Sequence, residues 1–108
     1  MKKINITITG ALGRMGKILI KRISKNKNLK LFSLTDLKSG QTINGIKTQK
    51  NNLEAFKKTD VIIDFSRPKS SLQVLNYAKK LKKKVVIGTT GFTKRQENLI
   101  KNYLCLIK

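Results

Sequence analysis

Residues Ile4 to Gly16, Ile-Asn-Ile-Thr-Ile-Thr-Gly-Ala-Leu-Gly-Arg-Met-Gly, constrain this chain more than any other stretch. Isoleucine recurs at every second position from Ile4 to Ile8, the period of a β-strand. Glycines at Gly10, Gly13 and Gly16 follow where a helical pattern takes over. A strand that passes through a tight glycine turn into a helix opens a βαβ unit. Read from Ala11, the turn is Ala-x-Gly-x-x-Gly, with the second and third glycines of the dinucleotide fingerprint at their usual spacing and Gly10 beside the substituted first. In that pattern Gly13 lets the backbone approach a pyrophosphate, and Gly16 lets the helix lie close on the strand. A helix start offers unpaired amides and a partial positive charge, so phosphate is held there without a cationic side chain. Asp36 stands twenty positions beyond Gly16 (36 − 16), behind the apolar run Leu31 to Leu34, where an acid for a ribose hydroxyl belongs.

Later segments repeat the strand and helix alternation. Met15, Ile18, Leu19 and Ile23 predict the inner face of a helix over 14–25, and Asn26-Lys27-Asn28 stops it before a second strand at 29–35. Leu37 to Asn52 reads as a loop, with a short hairpin as the alternative. Leu53 and Phe56 then indicate a short helix capped by Asn51 or Asn52. Val61-Ile62-Ile63 and Val85-Val86-Ile87 are continuous apolar runs, as expected of strands covered on both faces in a parallel sheet. Between them Pro68 opens a helix whose inner positions are Leu72, Leu75, Ala78 and Leu81. Thr93-Lys94-Arg95-Gln96 matches a capping box, which predicts a helix through Leu99 and Ile100, and Tyr103 to Ile107 reads as a fifth strand. The expected architecture is α/β: a Rossmann-like open parallel sheet of about five strands with helices on both faces, in one dinucleotide-binding domain over 1–108. In such sheets ligands bind beyond the carboxyl ends of the strands. The loops Gly10 to Gly16, Asp36, Asp64 to Pro68 and Gly88 to Phe92 all follow strand ends and should share one edge.

Charge offers a rival reading. The chain carries 25 Lys and Arg against 5 Asp and Glu, for a net +20, which raises a noncatalytic basic module binding nucleic acid as the alternative. Against it, the cations are mostly lysine, dispersed over every expected helix and loop, with arginine only at Arg14, Arg22, Arg67 and Arg95. No aromatic residues interleave with them as stacking platforms for bases. Histidine is absent, which removes the commonest general acid and metal ligand, and no metal site is expected. Cys105, the sole cysteine, lies in an apolar run and reads as a buried small hydrophobe. Alternating Ile with Asn and Thr near the amino terminus fits neither a signal-peptide core nor a membrane span, so a cytoplasmic protein is expected.

Three blocks together carry a resemblance. Gly-Ala-x-Gly-Arg-Met-Gly at Gly10 to Gly16, Asp-Phe-Ser-x-Pro at Asp64 to Pro68, and Val-Ile-Gly-Thr-Thr-Gly-Phe at Val86 to Phe92 resemble, in order and spacing, the nucleotide-binding domain of the dihydrodipicolinate (4-hydroxy-tetrahydrodipicolinate) reductases. The resemblance covers essentially the whole chain. It implies an oxidoreductase of diaminopimelate and lysine biosynthesis that reduces its cyclic substrate with NADPH or NADH. It further implies that Gly10, Ala11, Leu12, Gly13, Arg14 and Met15 cradle the pyrophosphate and that Asp36 takes the ribose position. Gly88, Thr89 and Thr90 would approach the nicotinamide, with Phe65 and Ser66 bordering the same cleft. Another Rossmann dehydrogenase is the remaining alternative, against which the Gly-Thr-Thr-Gly-Phe block argues.

Two departures from the family pattern stand out. Where some members carry an arginine after the ribose acid to meet the 2′-phosphate of NADPH, this chain has Leu37, with Lys38 next to it as a point-charge substitute. The family's second domain, with its His-His pair, its Lys-x-Asp-Ala-Pro-Ser-Gly-Thr segment and its tetramer-forming sheet, has no counterpart in these residues. The chain is therefore expected to hold the cofactor-binding part without catalytic residues and to be inactive alone. Neither nucleic acid nor membrane is expected as a partner.

Overall fold

The computed structural model describes residues 3–107, with side chains described for 3–101. Strand β1 (Ile4–Thr9) leads through the glycine turn into helix α1 (Arg14–Ser24), and β2 (Leu29–Thr35) follows. A hairpin of β3 (Thr42–Ile43) and β4 (Ile46–Lys47) and a short helix α2 (Leu53–Lys57) precede β5 (Val61–Asp64). The remainder is helix α3 (Pro68–Leu81), strand β6 (Lys84–Ile87) and helix α4 (Lys94–Ile107). The main sheet has the order β2-β1-β5-β6 with every pairing parallel. The chain moves outward from β1 to β2 and then returns to the other side of β1 at β5. Strand order thus reverses between β1 and β5, and crevices for ligands open at such reversals.

The sheet is a layer between two unlike packings. On one face Ile6, Ile8 and Leu34 meet Ile20 and Ile23 of α1, with Ile43 and Ile46 of the hairpin packed alongside. On the other, Ile62 packs with Ala55 and Phe56 of α2 and Val74 and Ala78 of α3. There the Phe56 and Tyr77 rings lie 5.6 Å apart between centroids, tilted by 43°. Thr7 shares this second face, fully buried, and its hydroxyl lies 2.7 Å from Ser33 Oγ and also bonds Thr59. Ser33 in turn donates to the Ala55 carbonyl at 2.7 Å. Buried hydroxyls are tolerated because each has a partner.

Several local signals act as expected. Pro68 opens α3 in its first turn. Asn52 caps α2, its side chain accepting from the Ala55 amide at 2.9 Å. The capping box closes reciprocally: the Gln96 amide donates to Thr93 Oγ1 at 3.2 Å, and the Thr93 amide donates to Gln96 Oε1 at 2.8 Å. The hairpin alternative for 37–52 is realised, turning at Asn44 (φ 52°) and Gly45 (φ 79°).

Three expectations need correction. The fifth strand at 103–107 is absent, because α4 runs unbroken to Ile107, and among the described residues the main sheet has four strands. Nothing resembling a turn separates Ile100 from Tyr103, and Leu99, Ile100, Tyr103, Leu104 and Ile107 continue a helical spacing that outweighs the local apolar run. Helix α1 is rotated from its expected setting: Met15 and Ile18 are 43% and 50% exposed, whereas Gly16, Ile20 and Ile23 are buried. Gly16 fixes that rotation, since a Cβ there would lie 2.4 Å from the Gly10 carbonyl oxygen. Finally, β6 is an edge strand and not a doubly covered one, with Val86 55% exposed. The expectation for Cys105 concerns a side chain outside those described.

Candidate functional site

The glycine turn is shaped by contacts that exclude side chains. Gly10 has φ +69°, and a Cβ on it would fall 2.2 Å from the Phe65 carbonyl oxygen. The turn after β1 is therefore locked against the turn after β5. Within it the Gly13 amide donates to the Gly10 carbonyl at 3.1 Å, and the Ala11 amide donates to the Thr35 carbonyl at 3.1 Å. Helix α1 then begins with Gly13 as its N-cap, without a capping side chain and without an acid in its first turn. Its first amides and the positive end of its dipole are thus left without an internal anion.

Asp36 closes one side of the turn. Its Oδ2 accepts the Leu12 amide at 3.0 Å and its Oδ1 accepts the Lys38 amide at 3.2 Å. Its own amide donates to the Gln49 carbonyl at 2.9 Å, so the acid is fixed through both backbone and side chain. Between this acid and the loop after β5 lies an open cleft of about 710 Å³. Gly10, Leu12 and Gly13 form its floor, Asp36 and Lys38 one wall, and Phe65, Ser66 and Arg67 another. Asn51, Ser70 and Gln73 also line it: Thr35 Oγ1 donates to Asn51 Oδ1 at 2.6 Å, and Asn51 Nδ2 donates to Ser70 Oγ and Gln73 Oε1, each at 3.0 Å.

A second carboxylate lies just behind the cleft and is sealed from it. Asp64, at 0% exposure, receives hydroxyls from Thr9 and Ser66 on Oδ1 and from Ser71 and Thr89 on Oδ2. The Ser66 amide donates to Thr89 Oγ1 at 2.9 Å, and the Gly88 amide donates to the Asp64 carbonyl at 2.8 Å. This cluster ties together the ends of β1, β5 and β6 and the start of α3. It holds the Phe65 to Arg67 loop where the cleft needs a wall.

The expected site residues accordingly separate. Gly10, Leu12, Gly13 and Asp36 line the cleft together. Ala11 is fully buried beneath it, while Arg14 and Met15 are exposed on the first turn of α1, beyond the lining. Gly88 lies under the Phe65 ring, where a Cβ would come 2.1 Å from ring carbon. Thr89 is engaged in the Asp64 cluster, and Thr90 is exposed outside the cleft. Of the four loops, three converge, and Phe65 stands between the cleft and the fourth. Sequence reasoning missed Lys50, Asn51, Ser70 and Gln73 as lining residues. Asn51 was visible only as a candidate cap, and Lys50 depends on a hairpin return that residue types do not announce. Among the described residues, no group of His, Cys, Asp and Glu is arranged to hold a metal, and no helix is long and apolar enough to cross a membrane.

A parallel sheet with its glycine turn at the strand-order reversal and an acid at the end of the neighbouring strand β2 defines a Rossmann-like nucleotide-binding domain of the kind that takes a pyridine dinucleotide. The chain belongs to the family described as dihydrodipicolinate reductase, N-terminus, whose sequence model matches residues 4–106. It is 56% identical over 104 residues to the 4-hydroxy-tetrahydrodipicolinate reductase of Pelagibacter ubique (strain HTCC1062), covering 95% of this chain and 40% of that protein. With the enzyme of the same name from Buchnera aphidicola subsp. Cinara cedri, identity is 46% over 113 residues, covering 93% of this chain and 41% of the relative. Among solved structures, the dipicolinate-bound dihydrodipicolinate reductase from Paenisporosarcina sp. TG-14 superimposes with a TM-score of 0.76 at 25% identity, over 96% of this chain and 43% of that one. This chain thus spans about 40% of the length of the curated relatives it matches.

Proposed function

We propose that this chain is the cofactor-binding part of a 4-hydroxy-tetrahydrodipicolinate reductase, serving diaminopimelate and lysine biosynthesis in the cytoplasm, with NADH or NADPH laid across the cleft between β1 and β5. The observation that carries this reading is the Asp36 carboxylate held on the Leu12 amide, directly beside a helix start that has no capping side chain. One end of the cleft offers a hydrogen-bond acceptor suited to a ribose hydroxyl, and the turn offers amides suited to a pyrophosphate. The fit is steric as well. Gly13 is exposed at the turn, and its missing Cβ, 3.3 Å from the Gly10 carbonyl, leaves room for phosphate oxygens against the main chain.

In this reading Gly10 to Gly13 orient the pyrophosphate, Asp36 orients the adenosine ribose, and Phe65 with Ser66 bounds the path toward the nicotinamide. When bound, the dinucleotide supplies a hydride. The residues assigned here supply position; reduction of the cyclic substrate belongs to the longer protein that the relatives represent.

The test is titration of the chain with NADH and NADPH, followed by nicotinamide fluorescence. Saturable binding at micromolar concentration is expected, and failure of both dinucleotides to bind below the millimolar range would overturn the reading. Gly13→Val places a branched side chain over the turn. It should weaken binding by about tenfold or more, the equivalent of roughly 1.4 kcal/mol, with circular dichroism confirming that the variant is folded.

A further inference from the structure

We infer that the edge of the main sheet opposite the cleft is a docking surface for duplex nucleic acid, which it holds through the phosphates without regard to sequence. The topology gathers there cations that lie far apart along the chain. All four strands run the same way, so their starts share one edge: Ile4 pairs with Leu29, and Val61 with Lys84. Helices α1, α2 and α3 each run back toward that edge and end on it. It therefore collects Lys3 ahead of β1, Lys25 and Lys27 after α1, Lys58 after α2, and Lys82 and Lys84 around the start of β6, all of them exposed.

The backbone that carries these lysines is tied together across the edge. The Ile4 amide donates to the Asn28 carbonyl at 3.0 Å, Asn5 Nδ2 donates to the Lys58 carbonyl at 3.0 Å, and the Lys83 amide donates to the Ala78 carbonyl at 2.9 Å. Negative charge is segregated to the other side. Of the chain's five acids only Asp60 lies on this edge, with its Oδ2 accepting the Asn5 amide at 2.7 Å. Asp64 ends β5 and Asp36 follows β2 at the cleft edge, and Glu54 and Glu97 sit in the first turns of α2 and α4, which begin there.

Helix dipoles do not account for this surplus. Each helix C-terminus carries about half a negative charge, and the last turns already hold Lys21 and Arg22, Lys57, and Lys79 and Lys80. The six lysines named above lie beyond those turns. An ammonium on a flexible stem is a point charge, suited to phosphates and not to the bidentate reading of a base. None of the aromatic side chains described is exposed, so single-stranded bases find no stacking platform here. Among the exposed large apolar side chains only Ile4 lies on this edge, too little for insertion into a bilayer interface. A duplex, with its dense and regular phosphate charge, is the polyanion that this surface fits.

Fluorescence anisotropy of a short labelled DNA duplex of arbitrary sequence, titrated with the chain over a series of salt concentrations, tests this directly. Micromolar binding is expected at low salt, with the logarithm of the affinity falling against that of salt at a slope of about −4, as for about four or five neutralised phosphates. Lys27→Gln, Lys58→Gln and Lys84→Gln combined should weaken binding by about tenfold or more and reduce the slope by about 2. The same charge removed elsewhere, by Lys69→Gln, Lys94→Gln and Arg95→Gln combined, should change the affinity by less than about threefold, because those groups lie beyond the screening distance of the bound duplex. Circular dichroism confirms that both triple variants are folded. The inference is overturned if the duplex does not bind at low salt, or if the two triple variants weaken binding equally. It is overturned as well if a single strand of the same length, or vesicles containing phosphatidylserine, displace the duplex at a lower phosphate concentration than unlabelled duplex does.

Discussion

Asp36 and Asp64 stand at the carboxyl ends of two parallel strands of one sheet, yet their surroundings differ in kind. Asp36 is half-buried and held by two main-chain amides at the rim of the cleft it lines. Asp64 is fully buried, and the described donors to its side chain are hydroxyls from four residues on four segments. An acid gripped by the loop it serves keeps acceptor capacity for a ligand. One enclosed by hydroxyls has its capacity spent on holding strand ends together. Position at a strand end therefore does not by itself mark a ligand-binding carboxylate; the identity of the donors does.

The contrast can be broken from either side. Asp64→Ala should cost most, about 3–5 kcal/mol in urea-induced unfolding, because four hydroxyls, those of Thr9 and Ser71 fully buried, lose their acceptor together. A loss below about 1 kcal/mol would show that the cluster is not the tie between the strands. Gly10→Ala comes next, at about 2–4 kcal/mol, since it combines a left-handed backbone with a Cβ driven into the Phe65 carbonyl. Thr9→Val removes a single hydroxyl from Asp64 and should cost about 1–2 kcal/mol. At the small end, Asp36→Asn should change unfolding by less than about 1 kcal/mol while lowering ADP-ribose affinity by about fivefold. A stability loss at Asp36 as large as that at Asp64 would erase the distinction.

Much of the architecture was legible because its signals are local. The capping box at Thr93 and Gln96, the proline at the start of α3 and the glycine turn each act within a few residues, and each forms as read. The hairpin stood only as the alternative to a loop, although Ile43-Asn44-Gly45-Ile46 is the preferred chemistry for a two-residue turn between short strands. What escaped reading is set by distant contacts. The rotation of α1 follows from Gly16 pressing on the turn, a choice between two apolar stripes that periodicity leaves open. The edge position of β6 depends on which strands pair, and apolar content alone does not give this. In the site, the glycines and Asp36 could be read from spacing, whereas Lys50 reaches the cleft only because Gln49 pairs with the end of β2. The motif read Thr89 as a ligand contact, and the bonds of its hydroxyl to the Asp64 cluster come from segments distant in sequence.

The lock between Gly10 and the Phe65 carbonyl has a consequence for the order of events as the chain folds. The glycine turn lies near the start of the chain, yet its final shape waits on a partner that arrives only when β5 has docked on β1. Local collapse of the first βαβ unit alone would leave that turn unfinished, so binding competence should emerge late, together with the long-range pairing. A nucleotide would then protect the amides of β1 and β5 from hydrogen exchange in concert, since it can recognise only the state in which both are seated.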